Sequence, residues 1–171
     1  MESRNIMKFK VIYGSDTGNT EVVVEDLTKL LEDIDVITVD EISPGDWDYD
    51  KFILGIPTWY DGELQSDWED YFDNFQEIDF TGKTVAIFGL GDQVGYAEWF
   101  CDGVGILAEV VEKNGGKVIG NWSTDGYEFE ASKAVMNTNN TFYGLCLDED
   151  NQPELTQDRL KEWVEQIKKE Y

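Results

Sequence analysis

The chain has no histidine, two cysteines, three prolines, and 13 Lys or Arg against 37 Asp or Glu. Each shortage excludes something. Without histidine there is no imidazole to act as acid, base or metal ligand near neutral pH. Cys101 and Cys146 lie far apart and match no metal-ligand spacing, so they read as free thiols of a reducing compartment. A formal net charge of −24 excludes nucleic acid as a natural partner, because neutralising phosphates needs a basic face. No apolar run approaches a membrane span, and Met1 to Ile6 lack the apolar core of a signal peptide. The expectation is a cytoplasmic protein without membrane insertion, with residues 1–7 as a loose tail and 8–171 as one domain.

What is present alternates. Strand-like runs fall at Lys8–Tyr13, Val36–Val39, Phe52–Pro57, Thr84–Leu90 and Lys117–Asn121, with a further piece at Phe142–Leu147. Helical stripes lie between them: Val23, Val24, Leu27, Leu30, Leu31 and Ile34; an aromatic-acidic segment at Ser66–Phe75; Phe100 to Val111, ending at Asn114-Gly115-Gly116; and Leu160 to Tyr171. Strands alternating with helices predict a doubly wound α/β fold, a parallel sheet with helices on both faces. Residues 122–141 are polar and too long for a simple connection, and read as an insertion in the last strand.

Ser15-Asp16-Thr17-Gly18-Asn19-Thr20 follows the first strand and opens a helix. The first N–H groups of a helix have no internal partner, and the macrodipole makes that end positive, so such a turn suits an anion. The loop has no Lys or Arg and no Gly-Lys-Ser/Thr, which fits a terminal phosphate monoester held and not transferred. The same hexapeptide also fits an ordinary Ser/Thr-capped helix.

Ligands of such sheets sit beyond the carboxyl ends of the strands. Pro57-Thr58-Trp59-Tyr60-Asp61-Gly62 emerges there after the third strand, and Gly89-Leu90-Gly91-Asp92-Gln93-Val94-Gly95-Tyr96 after the fourth. Trp59 and Tyr96, one from each loop, suit the two faces of a flat conjugated ring. Val94 stands where a dinucleotide fingerprint needs its third glycine.

Taken together the three loops resemble the flavodoxin family, in its long-chain, cyanobacterial-type class, over essentially residues 8–171. Ser15–Thr20 resembles the phosphate loop of flavin mononucleotide (FMN), and Pro57-Thr-Trp59 with Gly62-Glu-Leu-Gln-Ser-Asp-Trp68 the loop carrying the stacking Trp. Gly89-x-Gly-Asp-Gln-x-Gly-Tyr96 resembles the second flavin loop. Trp122 to Tyr127 and Leu147 to Gln152 are similar to stretches of the insertion and the strand after it. The resemblance implies a five-stranded sheet of order 2-1-3-4-5, non-covalent FMN and no substrate. It also implies flavin contacts from Trp99, Cys101 and Asp150, and a peptide at Tyr60-Asp61 that flips on flavin reduction. The implied role is a low-potential one-electron carrier that replaces ferredoxin between photosystem I and ferredoxin–NADP reductase, working as a monomer.

The charge pattern fits that role. Between Phe52 and Glu112 there are 13 Asp or Glu and one base, Lys83. Acids beside the ring disfavour added negative charge, and about 1.4 kcal/mol of repulsion lowers a one-electron potential by roughly 59 mV. The same block suits steering of basic redox proteins. Two other classes stay open: a flavin-dependent quinone reductase, and a phospho-receiver, which would need an Asp near Thr58 and Trp59.

Overall fold

The computed structural model describes residues 8–59, 61–136 and 140–171. Strand β1 (Phe9–Tyr13) lies between β2 (Ile34–Thr38) and β3 (Lys51–Trp59), all parallel. A two-residue strand β4 (Glu63–Leu64) turns back antiparallel on the end of β3, with Trp59 opposite Glu63. β5 (Thr84–Leu90) pairs with the far side of β3. The last position is filled twice, by β6 (Lys117–Ile119) along Thr84–Ala86 and by the three-residue strand Leu145–Leu147 along Phe88–Leu90. The five positions therefore run 2-1-3-4-5, with the last strand interrupted. Within the interruption β7 (Trp122–Ser123) pairs antiparallel with β8 (Thr141–Phe142), and Leu145–Leu147 is β9.

The strands bury both faces, and alternation assigns each residue to one of them. Val11, Ile53, Ala86 and Phe88 pack with Val23 and Leu27 of α1 (Asn19–Leu30) and Leu160 and Trp163 of α4 (Thr156–Glu170). Ile12, Leu54, Ile56 and Ile87 pack with Trp68 and Phe75 of α2 (Ser66–Phe75) and Val104 and Leu107 of α3 (Asp102–Lys113). The insertion adds Tyr127, Phe129 and Phe142 around Phe100, with Phe100 and Phe129 stacked at 5.4 Å. Arg159 of α4 lies 4.1 Å over the Tyr127 ring.

Three expectations need correction. The stripe that placed Ile34 on the first helix runs past its end: α1 stops at Leu30, Asp33 turns the chain at φ 57°, and Ile34 opens β2 opposite Phe9. The strand from Lys117 stops at Ile119 because Gly120 turns at φ 78°, its carbonyl accepting from Trp163 Nε1 at 2.8 Å. The piece from Phe142 to Leu147 is two strands, since Phe142 belongs to the hairpin with β7 and only Leu145–Leu147 joins the main sheet. Residues 1–7 and 137–139 lie outside the described residues, and the expected tail with them.

Candidate functional site

The ends of β1, β3 and β5 open into a cleft of about 210 Å³. One end is the turn into α1, where Thr17, Asn19 and Thr20 line the cleft. An ordinary Ser/Thr cap is ruled out here. The residue before α1 is Gly18 in the left-handed region (φ 93°), and no side chain caps the helix. Ser15 Oγ accepts from Gly18 N–H at 2.9 Å and leaves the first-turn N–H groups alone. A non-glycine residue at that φ would be strained, which explains the glycine.

The walls of the cleft are Pro57, Thr58 and Trp59 from β3, Leu90 from the end of β5, and Gly91, Asp92 and Tyr96 from the chain after it. Trp59 is the last residue of β3 and half-buried; its Nε1–H is buried and finds no hydrogen-bond partner among the described residues. Buried donors are nearly always paired, so this orphan on a cleft-lining residue calls for a partner that the described residues do not supply. Thr58 Oγ1 accepts from Gly103 N–H at 2.8 Å and ties the start of α3 to the cleft wall.

Asp150 lines the cleft, and its chain neighbour Glu149, not singled out as a site residue from the sequence, joins it. With Asp92, the lining carries three carboxylates and no Lys or Arg among the described residues. The two aspartates differ in character. Burial raises the Asp92 carboxyl, but donation from Gly95 N–H, Asn151 and Val94 N–H outweighs it and holds Asp92 below the ordinary range. Asp150 is pushed up, first by burial and then by the charges of Asp92 and Asp148.

The remaining expected residues stand behind or beside the cleft. Asp16 faces away, its Oδ1 accepting from Gln65 Nε2 at 2.9 Å and Ser66 Oγ at 3.0 Å. Asp61 is exposed, and Gly62, at φ 84°, rests against Trp99 and the Asp102 carboxylate. Trp99 thus supports that turn from behind and does not line the cleft. Gly89 is closed in by Val104 and the Ile56 carbonyl. Cys101 is fully buried as the left-handed residue preceding α3 (φ 53°), packed under Gly91. Burial and the neighbouring Cys146 thiol push its own thiol far up, so it is inert. The side chains of Trp99 and Cys101 are thus taken up in packing, which leaves their backbone groups for the contacts that the resemblance implies. Tyr60 lies outside the described residues.

A doubly wound parallel sheet with an interrupted last strand, and a cleft between an uncapped helix start and two aromatic side chains, defines a flavodoxin-like α/β domain. The family described as Flavodoxin matches residues 11–163. The chain is 52% identical over 165 residues to the flavodoxin of Synechocystis sp., covering 94% of this chain and 96% of that one. It is 51% identical over 160 residues to the flavodoxin of Haemophilus influenzae, covering 92% and 91%. The crystal structure of Fusobacterium nucleatum flavodoxin bound to flavin mononucleotide superposes with a TM-score of 0.91 at 37% identity, covering 96% of this chain and 98% of that one. The chain belongs to the flavodoxin family, whose members are FMN-binding electron carriers and not enzymes.

Proposed function

We propose that this chain holds one FMN non-covalently in the cleft, phosphate at the 15–20 loop and ring between Trp59 and Tyr96, and passes single electrons at low potential between basic redox proteins. One observation carries the reading: an uncapped helix N-terminus and two aromatic side chains, Trp59 and Tyr96, line the same cleft. Backbone N–H groups of α1 and the hydroxyls of Thr17 and Thr20 would hold the phosphate. When bound, FMN supplies the one-electron chemistry, and the chain tunes it. Trp59 and Tyr96 exclude water from the ring faces. Asp92, Glu149 and Asp150 oppose added negative charge, which favours a strong reductant. The ferredoxin-replacing role, with photosystem I as donor and ferredoxin–NADP reductase as acceptor, and a monomeric state, belong to the same proposal and rest on the resemblance. In the described residues no helix is long and apolar enough to cross a membrane, in keeping with a mobile carrier.

Comparing FMN with riboflavin, which lacks the phosphate, tests it. FMN should bind far more tightly to the apoprotein. Affinities within about tenfold, or 1.4 kcal/mol, would show that the 15–20 loop is not a dedicated phosphate site.

A further inference from the structure

Gln93 sits in the loop after β5 but not in the cleft wall, and is only 3% exposed. Its side chain is fully used. Nε2 donates to Asp148 Oδ2 at 2.8 Å and to Gln152 Oε1 at 3.0 Å, and Oε1 accepts from the Glu128 N–H at 2.5 Å. Its backbone N–H also donates to Asp148 Oδ2, at 3.1 Å. This fixes the amide orientation, since a flipped amide would set its oxygen against a carboxylate.

Asp148 extends the knot. It is fully buried, and its Oδ1 accepts from the N–H groups of Asp150 at 3.1 Å and Asn151 at 2.9 Å. Asn151 Nδ2 then bridges Asp148 Oδ2 at 2.9 Å and Asp92 Oδ1 at 2.8 Å. Two cleft walls, at Asp92 and at Glu149-Asp150, are thus locked to each other behind the lining. The third anchor is the insertion, through Glu128 N–H and through the Gly126 carbonyl, which accepts from Gln152 Nε2 at 2.9 Å. Arg159 Nη1 donates to Gln152 Oε1 at 2.8 Å and ties the knot to α4.

We propose that Gln93 is a positioning residue that docks the Asp92–Tyr96 wall onto both Asp148 and the insertion, making the Gly126–Glu128 segment of the insertion a fixed buttress for the ring side of the cleft. A buried network of this kind holds one arrangement only while every member is satisfied. The inference rests on the FMN reading for its consequence, but the knot itself can be tested without FMN.

Two measurements test it. In the parent apoprotein, native-state amide exchange by NMR should show the N–H groups of Gln93, Glu128 and Asp150 opening together as one unit. Opening of Glu128 independently of the other two would overturn the buttress. Gln93→Met should then weaken FMN and riboflavin by the same factor, about tenfold, as expected for one buried hydrogen-bonding side chain lost. The ratio of the two affinities should stay at the parent value, because the phosphate loop is untouched, while the midpoint potential of the FMN-loaded protein moves. Parent-like affinities and potential in Gln93→Met, or a loss confined to FMN, would overturn the proposal. Failure of the parent itself to bind FMN would overturn the functional reading and leave the exchange result to decide the knot. If Gln93→Met does not fold, Gln93→Asn, which keeps the amide but shortens its reach, carries the same comparison.

Discussion

Asp16 and Gln65 are hydrogen-bonded at 2.9 Å, and this contact joins the turn into α1 to the start of α2. Gln65 is fully buried, and its Oε1 accepts from Trp68 N–H at 3.2 Å to cap α2. One side chain therefore sets both the helix and the loop beside it. Gln65→Ala should destabilise the apoprotein by about 1–3 kcal/mol, the cost of stranding buried partners, and weaken FMN more than riboflavin. Urea unfolding and the two titrations check this; equal losses for both ligands would place the effect away from the phosphate loop.

Two glycines four residues apart should respond differently to alanine. At Gly14 an added Cβ would fall 2.0 Å from Gln65 Oε1, a clash with the buried cap. At Gly18 nothing lies within 4 Å, but φ is +93°. Gly14→Ala should cost about 1–3 kcal/mol as overpacking. Gly18→Ala should cost about 1–2 kcal/mol from backbone strain alone, with a selective loss of FMN over riboflavin. Equal unfolding midpoints for the parent and Gly14→Ala would show that Gln65 moves aside freely.

Trp59 offers a stacking surface and a buried, unpartnered N–H. Trp59→Phe keeps an aromatic ring and removes the donor, whereas Trp59→Ala removes both. If the N–H meets the phosphate, Phe should lower the preference for FMN over riboflavin, and Ala should lose about 0.5–1.5 kcal/mol more from stacking on both ligands. Both variants should fold, since Trp59 is half-buried at the strand end and unpacked on its cleft side. An unchanged preference in Trp59→Phe would assign the donor elsewhere.

Asp150 and Asp92 should give opposite pH signatures. The Asp150 carboxyl is raised in the folded state, so ionising it costs stability, and that cost appears as pH rises from the ordinary 3.8 through the raised value. Asp150→Asn should therefore melt higher than the parent at pH 7, with the difference fading below pH 3.8. The Asp92 carboxyl is lowered, so its stabilisation is present above its unfolded pKa and lost as pH falls through the folded one. Asp92→Asn should melt lower than the parent at neutral pH, and the gap should close in acid. Thermal melts of the apoproteins across pH check both signs.

Much of this was legible in the sequence, for reasons that can be named. β5 and α2 appear with the bounds their patterns predict, because a strand buried on both faces reads as a short apolar run between turn residues and an amphipathic helix carries one clear period. Ile34 misled because its spacing continues the α1 stripe, and only the left-handed turn at Asp33 breaks it. The cleft loops were legible because their chemistry is local to short segments. The Gln93–Asp148 pair was not, since the two meet across 55 residues and no periodicity encodes the contact. Trp99 and Cys101 sit near the cleft in sequence yet point into packing, which composition alone does not reveal.

The acidic block bears on partners, and the structure selects which acids to test. Lys83, the one base between Phe52 and Glu112, sits at the start of β5, away from the cleft, its Nζ donating to the carbonyls of Trp47 at 2.8 Å and Tyr49 at 2.7 Å. Nothing in that span offsets the acids at the cleft rim. Asp67 accepts from Gln65 Nε2 at 3.0 Å, so replacing it would disturb the cap of α2. Glu63, Glu69 and Asp70 are exposed and are the cleaner set. If they steer a basic partner, the second-order rate of electron transfer should fall with salt, as the Debye length shrinks from about 10 Å at 0.1 M to about 3 Å at 1 M. Neutralising the three together should lower the low-salt rate and flatten the salt dependence, acting on association more than on final affinity. Stopped-flow reduction against a basic reductase, from low to high ionic strength, separates the cases. A rate independent of salt in both the parent and the triple variant would reduce the block to a solubility feature.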